Sequence, residues 1–372
     1  FALSQYAFQY RLSEEELEKK EQEADRHDIW GYYYDGELAG KLHIIPLEIL
    51  IGGKHFSMGG ISSVATWPEQ RRSGIAKQLL HHALMKMKEQ GQVVSYLHPF
   101  SVGFYRKYGW ELTVTRRHDQ IPIQQFKQGW DITGYVKREA FDYDVLNDIY
   151  THYANKFQGM LIRDELWWKQ RVLAEDKLHI IVAYNEVDEA EGYLIYTMQN
   201  NTFTVKELAY KNCNGKYLLY DFISNHDSMA QTVEWIVPES DLFPLLINDP
   251  FYQQLAKPYF MARIVDVESF LQQYIYTNYP QELLLSVEDE FVPENSATYK
   301  IVTKGGRALS VERLEYQKSA VHCSVQHLAA MFLGYKRPRE LYEAELISGE
   351  QGEVNKLENM IPTGQTFLAD FF

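Results

Sequence analysis

Cysteine is nearly missing from this chain: 372 residues contain only Cys213 and Cys323. They lie far apart and show no metal-ligand spacing. That excludes a disulfide framework, calls for no metal, and fits a cytoplasmic address. Long apolar runs are missing too. No stretch reaches the length of a membrane crossing, and no basic-then-apolar signal segment stands at the start. Basic residues are the minority, 37 against 51 acidic, for a formal charge of −14. Such a surface is a poor partner for nucleic acid and draws cationic small molecules. The fingerprint G-x-G-x-x-G is also lacking, and no acidic residue stands where a ribose ligand belongs, which argues against a nicotinamide cofactor.

What is present is an ordinary globular composition, 45% hydrophobic and 24% charged, in a chain long enough for two or three domains. Its most informative stretch is Gly60 to Ala76, which reads as a strand, a turn and the opening of a helix. Ile61 to Thr66 is rich in β-branched residues, and Pro68 stops the strand. From Ile75 the apolar residues Ile75, Leu79, Leu80, Ala83, Leu84 and Met87 follow helical spacing. The first turn of a helix offers backbone N–H groups with no intrahelical partner and about half a positive charge. Gly74 allows close approach, and Arg71 and Arg72 add full charge. This is how a chain holds a pyrophosphate.

Around this stretch the pattern is regular. Ser13 to Lys20 reads as a capped, charged helix closed by Ser13 and Glu16. Ile29–Tyr34, Leu38–Ile45 and Leu47–Ile51 read as three strands, turned at Asp35-Gly36 and Gly52-Gly53. Val93–Leu97 is the next strand. The segment from Phe100 through Phe104-Tyr105 to Tyr108-Gly109 reads as a short helix ending at the glycine, with Tyr105 and Tyr108 near one face.

From Tyr135 the order repeats. A helix over Tyr143–Phe157 and another over Glu165–Leu173 precede strands at Leu178–Tyr184, Gly192–Met198 and Phe203–Tyr210, then a helix starting at Gly215. At the place of Arg71 to Ala76 stands Lys211-Asn212-Cys213-Asn214-Gly215, without the arginine pair, so this copy reads as one that no longer binds the ligand. A third unit follows Met261 to Val267, with strands at Leu283–Val287 and Ala297–Val302 and a helix at Ser324–Leu333 ended by Gly334. The chain closes on Phe367, Phe371 and Phe372. Flexible tails are normally polar, so this one reads as docked.

The spacing Arg71-x-x-Gly74-x-Ala76 resembles the acyl-CoA signature of the GCN5-related N-acetyltransferases (GNAT). Taken with Val64-Ala65, Leu97-His98, Phe104-Tyr105 to Gly109, the Arg263–Val267 junction and the aromatic terminus, the whole chain resembles the enhanced intracellular survival (Eis) family. The resemblance implies an α/β (α+β) chain of two tandem GNAT-like mixed-sheet domains and a smaller sterol-carrier-like α+β domain, at 1–132, 133–262 and 263–372. It implies acetyl-CoA as co-substrate, held by Val64, Ala65, Thr66, Arg72, Ser73, Gly74, Ile75, Ala76 and Lys77, with Phe100 and Ser101. It further implies Tyr105 as general acid, the α-carboxylate of Phe372 as base, a hexameric homo-oligomer, and a cationic amine acceptor, aminoglycoside-like or polyamine. Ser63 stands where mycobacterial members line the acceptor pocket with phenylalanine, and Phe100 replaces a small polar residue.

Acidities shape the chemistry. An alkyl ammonium, with a pKa of about 10, must lose its proton to attack, and a terminal carboxylate at about 3.5 needs burial to become a base. Full proton transfer from tyrosine to the departing thiolate is uphill by about 2 kcal/mol, so Tyr105 acts first as a hydrogen-bond donor. Two other readings share these residues: an N-acyltransferase using a longer acyl-CoA on a peptide amine, and a non-enzymatic ligand-binding protein.

Overall fold

The computed structural model describes residues 1–372, which divide into two compact units. The first comprises Phe1–Thr113, Tyr259–Gly364 and Phe372; the second comprises Val114–Pro258 and Gln365–Phe371. No helix is long and apolar enough to cross a membrane.

In the first unit, helices α1 (Ala2–Ala7) and α2 (Glu14–Ala24) precede the sheet. Ser13 and Glu16 close a capping box at α2, as expected. Strands β1 (Asp28–Tyr34), β2 (Glu37–Ile51) and β3 (Lys54–Thr66) form an antiparallel meander, with Asp35-Gly36 and Gly52-Gly53 at positive φ in its turns. The two strands expected at 38–45 and 47–51 are one. Pro46 does not break it, because β1 ends opposite Ile44 and β2 beyond that point is a sheet edge, where proline is tolerated.

Helix α3 (Ile75–Glu89) buries the six apolar positions its spacing marks out. It leads into β4 (Val94–Leu97), which lies parallel to β3. The far side of β4 pairs with Met261–Ile264, the end of a strand that returns from much later in the sequence. The part that follows adds a four-stranded sheet in the order Arg307–Leu314, Ala297–Lys304, Gln281–Glu288, Val321–Ser324. Helices Val267–Gln273, Val325–Phe332 and Gln351–Met360 complete it.

A buried charge pair ties these pieces together. Arg263, fully buried, donates from Nη2 to Asp289 Oδ2 at 2.5 Å and from Nη1 to the Tyr108 carbonyl. Asp289 also accepts from Asn295 Nδ2 and from the backbone N–H of Phe291 and Val292. The neighbouring Gly109 has φ +88°, and a Cβ there would overlap the Arg263 guanidinium. Glycine is obligatory at that spot, directly after helix α4 (Val102–Arg106).

The second unit repeats the layout. Its sheet runs Glu111–Pro122, Thr232–Pro238, Thr202–Tyr210, Ala190–Gln199, His179–Tyr184, Tyr135–Glu139. Thr202–Tyr210, helix Cys213–Ser224 and Thr232–Pro238 form the same strand-helix-parallel-strand unit as β3, α3 and β4. Gly215 does not start that helix; Asn212 caps it and Gly215 sits within the first turn. The expected helix over 165–173 is one α-turn, Glu165–Trp167, widening into a π-turn at Trp168–Val172.

The C-terminal tail is docked, with one correction. Phe367 and Phe372 are buried, but Phe371 is 57% exposed. Gln365-Thr366 pairs with Phe157-Gln158. Asp370 accepts from Arg163 Nε at 2.9 Å and Trp167 Nε1 at 2.8 Å, while the other end of Arg163 holds Glu207. Arg116 donates to the Leu368 carbonyl at 2.9 and 2.6 Å and to that of Asp370 at 3.2 Å.

Asp289→Asn keeps the shape of the Arg263 pair but strips its counter-charge. An uncompensated buried guanidinium is expected to cost about 3 kcal/mol or more, read as a lower denaturant midpoint. An unchanged midpoint would show that the pair is not the fastening described.

Candidate active site

The site begins with a miscount between two strands. Gly40 pairs with Thr66 and Lys41 with Ala65, but the next rung is His43 with Ser62. β3 thus spends three steps where β2 spends two, and Ser63 takes up the surplus at φ +52°. On its other side β3 pairs with β4 only from Met58↔Val94 to Ile61↔Leu97. Beyond Ile61 β3 has no strand partner on that side, and Val64–Thr66 line a cleft.

That cleft has a volume of about 580 Å³. Val64, Ala65 and Thr66 form one wall. Arg72, Gly74, Ile75, Ala76 and Lys77 form its end, and Phe100 forms the other wall. The turn is built for close approach. Gly74 has φ +85°, caps α3 through its backbone, and leaves the first turn without a side-chain cap. A Cβ on Gly74 would meet nothing within 4 Å, so its requirement is conformational. Arg71 and Arg72 are exposed, Arg72 at φ +65°. The first-turn N–H groups and two guanidinium groups therefore point to one anionic ligand.

Of the expected coenzyme contacts Ser73 and Ser101 do not line the cleft, and neither do the two catalytic candidates, Tyr105 and Phe372. Ser73 braces the turn from behind, its hydroxyl donating to the Gln70 carbonyl at 2.5 Å. Ser101 caps α4, its carbonyl accepting from the Tyr105 N–H. Lining residues that sequence reasoning did not place are Ala7, Phe8, Gln70 and Phe104. Phe104 was findable as the helical neighbour of Phe100; nothing local marks Ala7 and Phe8.

Tyr105 and Tyr108 do not share one environment. Tyr108 lines the cleft, whereas Tyr105 is 3% exposed, edge-on to Phe100, Phe104 and Trp110. Burial pushes the Tyr105 hydroxyl well above the ordinary phenol range. It stays protonated through neutral and alkaline pH.

Phe372 sits on the same strand. Its ring lies against Gly60, where a Cβ would stand 2.6 Å from it, and 4.9 Å from the Phe260 ring. It is 5% exposed. Gly60 is two residues before Ser62, so the seat of the terminal ring and the start of the open edge are on one face of β3.

The matching turn in the second unit is shut. Asn212 caps the helix at Gly215 N, and a Cβ on Gly215 would lie 2.5 Å from the Glu191 carbonyl oxygen. The Glu191 carboxylate accepts from Asn214 at 2.7 Å. Burial disfavours its charge, but hydrogen bonds from Asn214, Asn212 and Asn185 outweigh that and hold its carboxyl below the usual range. A negative charge thus stands beside this turn.

The architecture is matched by known families in the same order. The Acetyltransferase (GNAT) domain matches residues 1–113, a second Acetyltransferase (GNAT) domain matches 159–264, and the Sterol carrier protein domain matches 267–369. The chain belongs to the GCN5-related N-acetyltransferases, with two such domains in tandem ahead of a sterol carrier protein domain. It is similar to an uncharacterized N-acetyltransferase of Streptomyces griseus, 22% identical over 350 residues that cover 86% of this chain and 83% of that one. A probable N-acyltransferase from Enterococcus faecalis V583 superposes with a TM-score of 0.93 at 28% identity, over 100% of this chain and 96% of its own. Eis1 from Mycobacterium abscessus has the same fold, with a TM-score of 0.79 at 22% identity over 92% and 91% of the two chains. This chain is therefore an acyltransferase of a class that uses acetyl-CoA as co-substrate.

In this acetyltransferase Gly60→Ala puts a methyl group into the Phe372 ring. Overpacking is expected to cost about 1–3 kcal/mol and to loosen the terminus. Denaturant unfolding reads the first, and faster release of the terminal phenylalanine by carboxypeptidase reads the second. Equal release from both proteins would mean Gly60 is not the seat.

Proposed function

We propose that the first domain transfers acetyl from acetyl-CoA to a primary amine of a small cationic molecule, aminoglycoside-like or polyamine. The observation that carries the reading is the open backbone of Ser62–Thr66 running into the uncapped start of α3, with Phe372 seated two residues upstream at Gly60. The net charge of −14 favours the approach of a cation.

Acetyl-CoA supplies the thioester. The backbone of Val64 to Thr66 receives the amide-bearing arm as a missing strand would. The first-turn N–H groups of α3, with Arg71, Arg72 and Lys77, take the diphosphate. The α-carboxylate of Phe372 accepts the proton of the incoming amine; burial of its ring beside Phe260 supplies the apolar surroundings that favour this. Tyr105 donates a hydrogen bond to the departing sulfur. With its hydroxyl pKa raised by burial, outright proton donation is further uphill than for an ordinary tyrosine. Residues 1–132 are assigned to catalysis, 133–262 to a copy without coenzyme, and 263–372 to the sterol-carrier-like domain ending in the base. A hexamer in the cytoplasm completes the reading, and light scattering tests the assembly.

Replacing Arg71 and Arg72 together with alanine is expected to weaken acetyl-CoA binding by about tenfold or more in calorimetry, since charge-assisted contacts to phosphate are lost. Unchanged affinity would remove the diphosphate from this turn. Tyr105→Phe is expected to lower kcat with coenzyme affinity intact and to leave the alkaline side of the pH profile unmoved, because the hydroxyl does not ionise there. Residues added after Phe372 should abolish transfer in a folded protein. Full turnover in either variant would retire the corresponding role.

A further inference from the structure

The face of the first sheet that holds Phe372 also holds an unmatched lysine. A Cβ on Gly40 would meet Ile75 of α3 at 2.7 Å, so Gly40 faces α3 and its neighbour Lys41 faces the opposite way. His43, two residues on, shares that opposite face. Its partner Ser62 lies two residues from Gly60, against which the Phe372 ring packs. Lys41, His43 and Phe372 thus occupy one face, and Lys41 pairs with Ala65, which lines the cleft.

Lys41 is 6% exposed. Its Nζ donates to His43 Nε2 at 2.9 Å, and His43 Nδ1 lies 3.1 Å from His27 Nδ1. With Nε2 accepting, the proton of His43 sits on Nδ1 and is donated onward to His27. Burial, then the charge of Lys41, hold His43 down to about 3, so the ring is neutral. The Lys41 ammonium has three donors and spends one on a neutral imidazole, with its charge also lying 5.8 Å from the centre of the Phe1 ring. No carboxylate neutralises it, and burial alone lowers its pKa. A buried charge is ordinarily paired. On the same face Tyr96, the β4 partner of Gly60, is fully buried with a hydroxyl that lacks a hydrogen-bond partner.

We propose that the acceptor completes this arrangement: it is an amino acid-like small molecule whose carboxylate is held by Lys41 while its amine is presented to Phe372. This rests on the reading of Ser62–Thr66 as the transfer centre and departs from it in the acceptor, an amino acid in place of an aminoglycoside or polyamine. A polyamine has no group to offer Lys41. A carboxylate fits better than a phosphate, because one lysine beside the neutral His43 matches a single negative charge.

The test uses the full-length enzyme, Lys41→Met and Lys41→Arg. Acetyl-CoA-dependent thiol release is measured for aminocarboxylic acids of increasing chain length, each offered as free acid and as methyl ester, with spermidine and an aminoglycoside alongside. At least one free acid should exceed its ester by about tenfold or more in kcat/KM, as expected for a charge-assisted contact. Lys41→Met should erase that preference and Lys41→Arg should restore part of it. Acetyl-CoA affinity and melting temperature should hold in Lys41→Met, since an apolar side chain is more easily buried there. Preference for esters, spermidine or the aminoglycoside would overturn the proposal. So would an acid preference that survives Lys41→Met, or an enzyme that binds acetyl-CoA yet acetylates no free acid. Failure to bind acetyl-CoA at all would bring down the transfer reading itself, a distinct result.

Discussion

Between Ser62 and Ala65 the ladder of β2 and β3 sets three residues against two, and the strand leaves β4 at that level. A surplus residue in a sheet bends its strand and leaves backbone groups without a ladder partner. Buried backbone groups without partners are costly, so such an edge persists where a ligand or water satisfies it. Here the edge runs straight into a helix start that is likewise unsatisfied, with two arginines beside it. Strand edge and helix end are the same kind of feature: main-chain donors held in place by the fold and left for something else to use.

The rest of the first unit keeps that edge open. Met261–Ile264 pairs along β4 and so holds β4 in the sheet on the side away from the cleft. Arg263, one residue of that strand, fixes the carbonyl of Tyr108 and thereby the end of α4, which carries Tyr105 on its buried side. Gly60 gives up a side chain so that Phe372 can lie on β3. The same backbone layout in the second unit has an asparagine cap in the turn and a carboxylate hydrogen-bonded to it. Identical topology with opposite charge separates the two copies.

What could be read from residue order was whatever depends on near neighbours. The turn Arg71 to Ala76, the six buried positions of α3, the capping box at Ser13 and the repeat of strands and helix are all local patterns, and each is found. What stayed hidden depends on register. Lys41 reads as one more charge in an alternating strand, because only the pairing with Ala65 and the contact of Gly40 with Ile75 show which way it points. The role of Gly60 is visible only once the last residue is brought back to it. Pro46 looked like a strand break because its place at the edge of the sheet follows from where β1 ends. Phe371 looked buried by association, whereas alternation along an extended tail turns it outward between two buried neighbours.

The bond from Arg263 to Tyr108 spans 155 residues. During synthesis the loop after α4 leaves the ribosome long before the guanidinium that fills the space over Gly109 has been made. The strand that borders β4 arrives with it. A chain released after residue 113 therefore carries every residue that lines the cleft and still lacks the groups that hold its walls. The catalytic module is continuous in the gene only in appearance: recombination that moved the first third alone would transfer the motif without the enzyme.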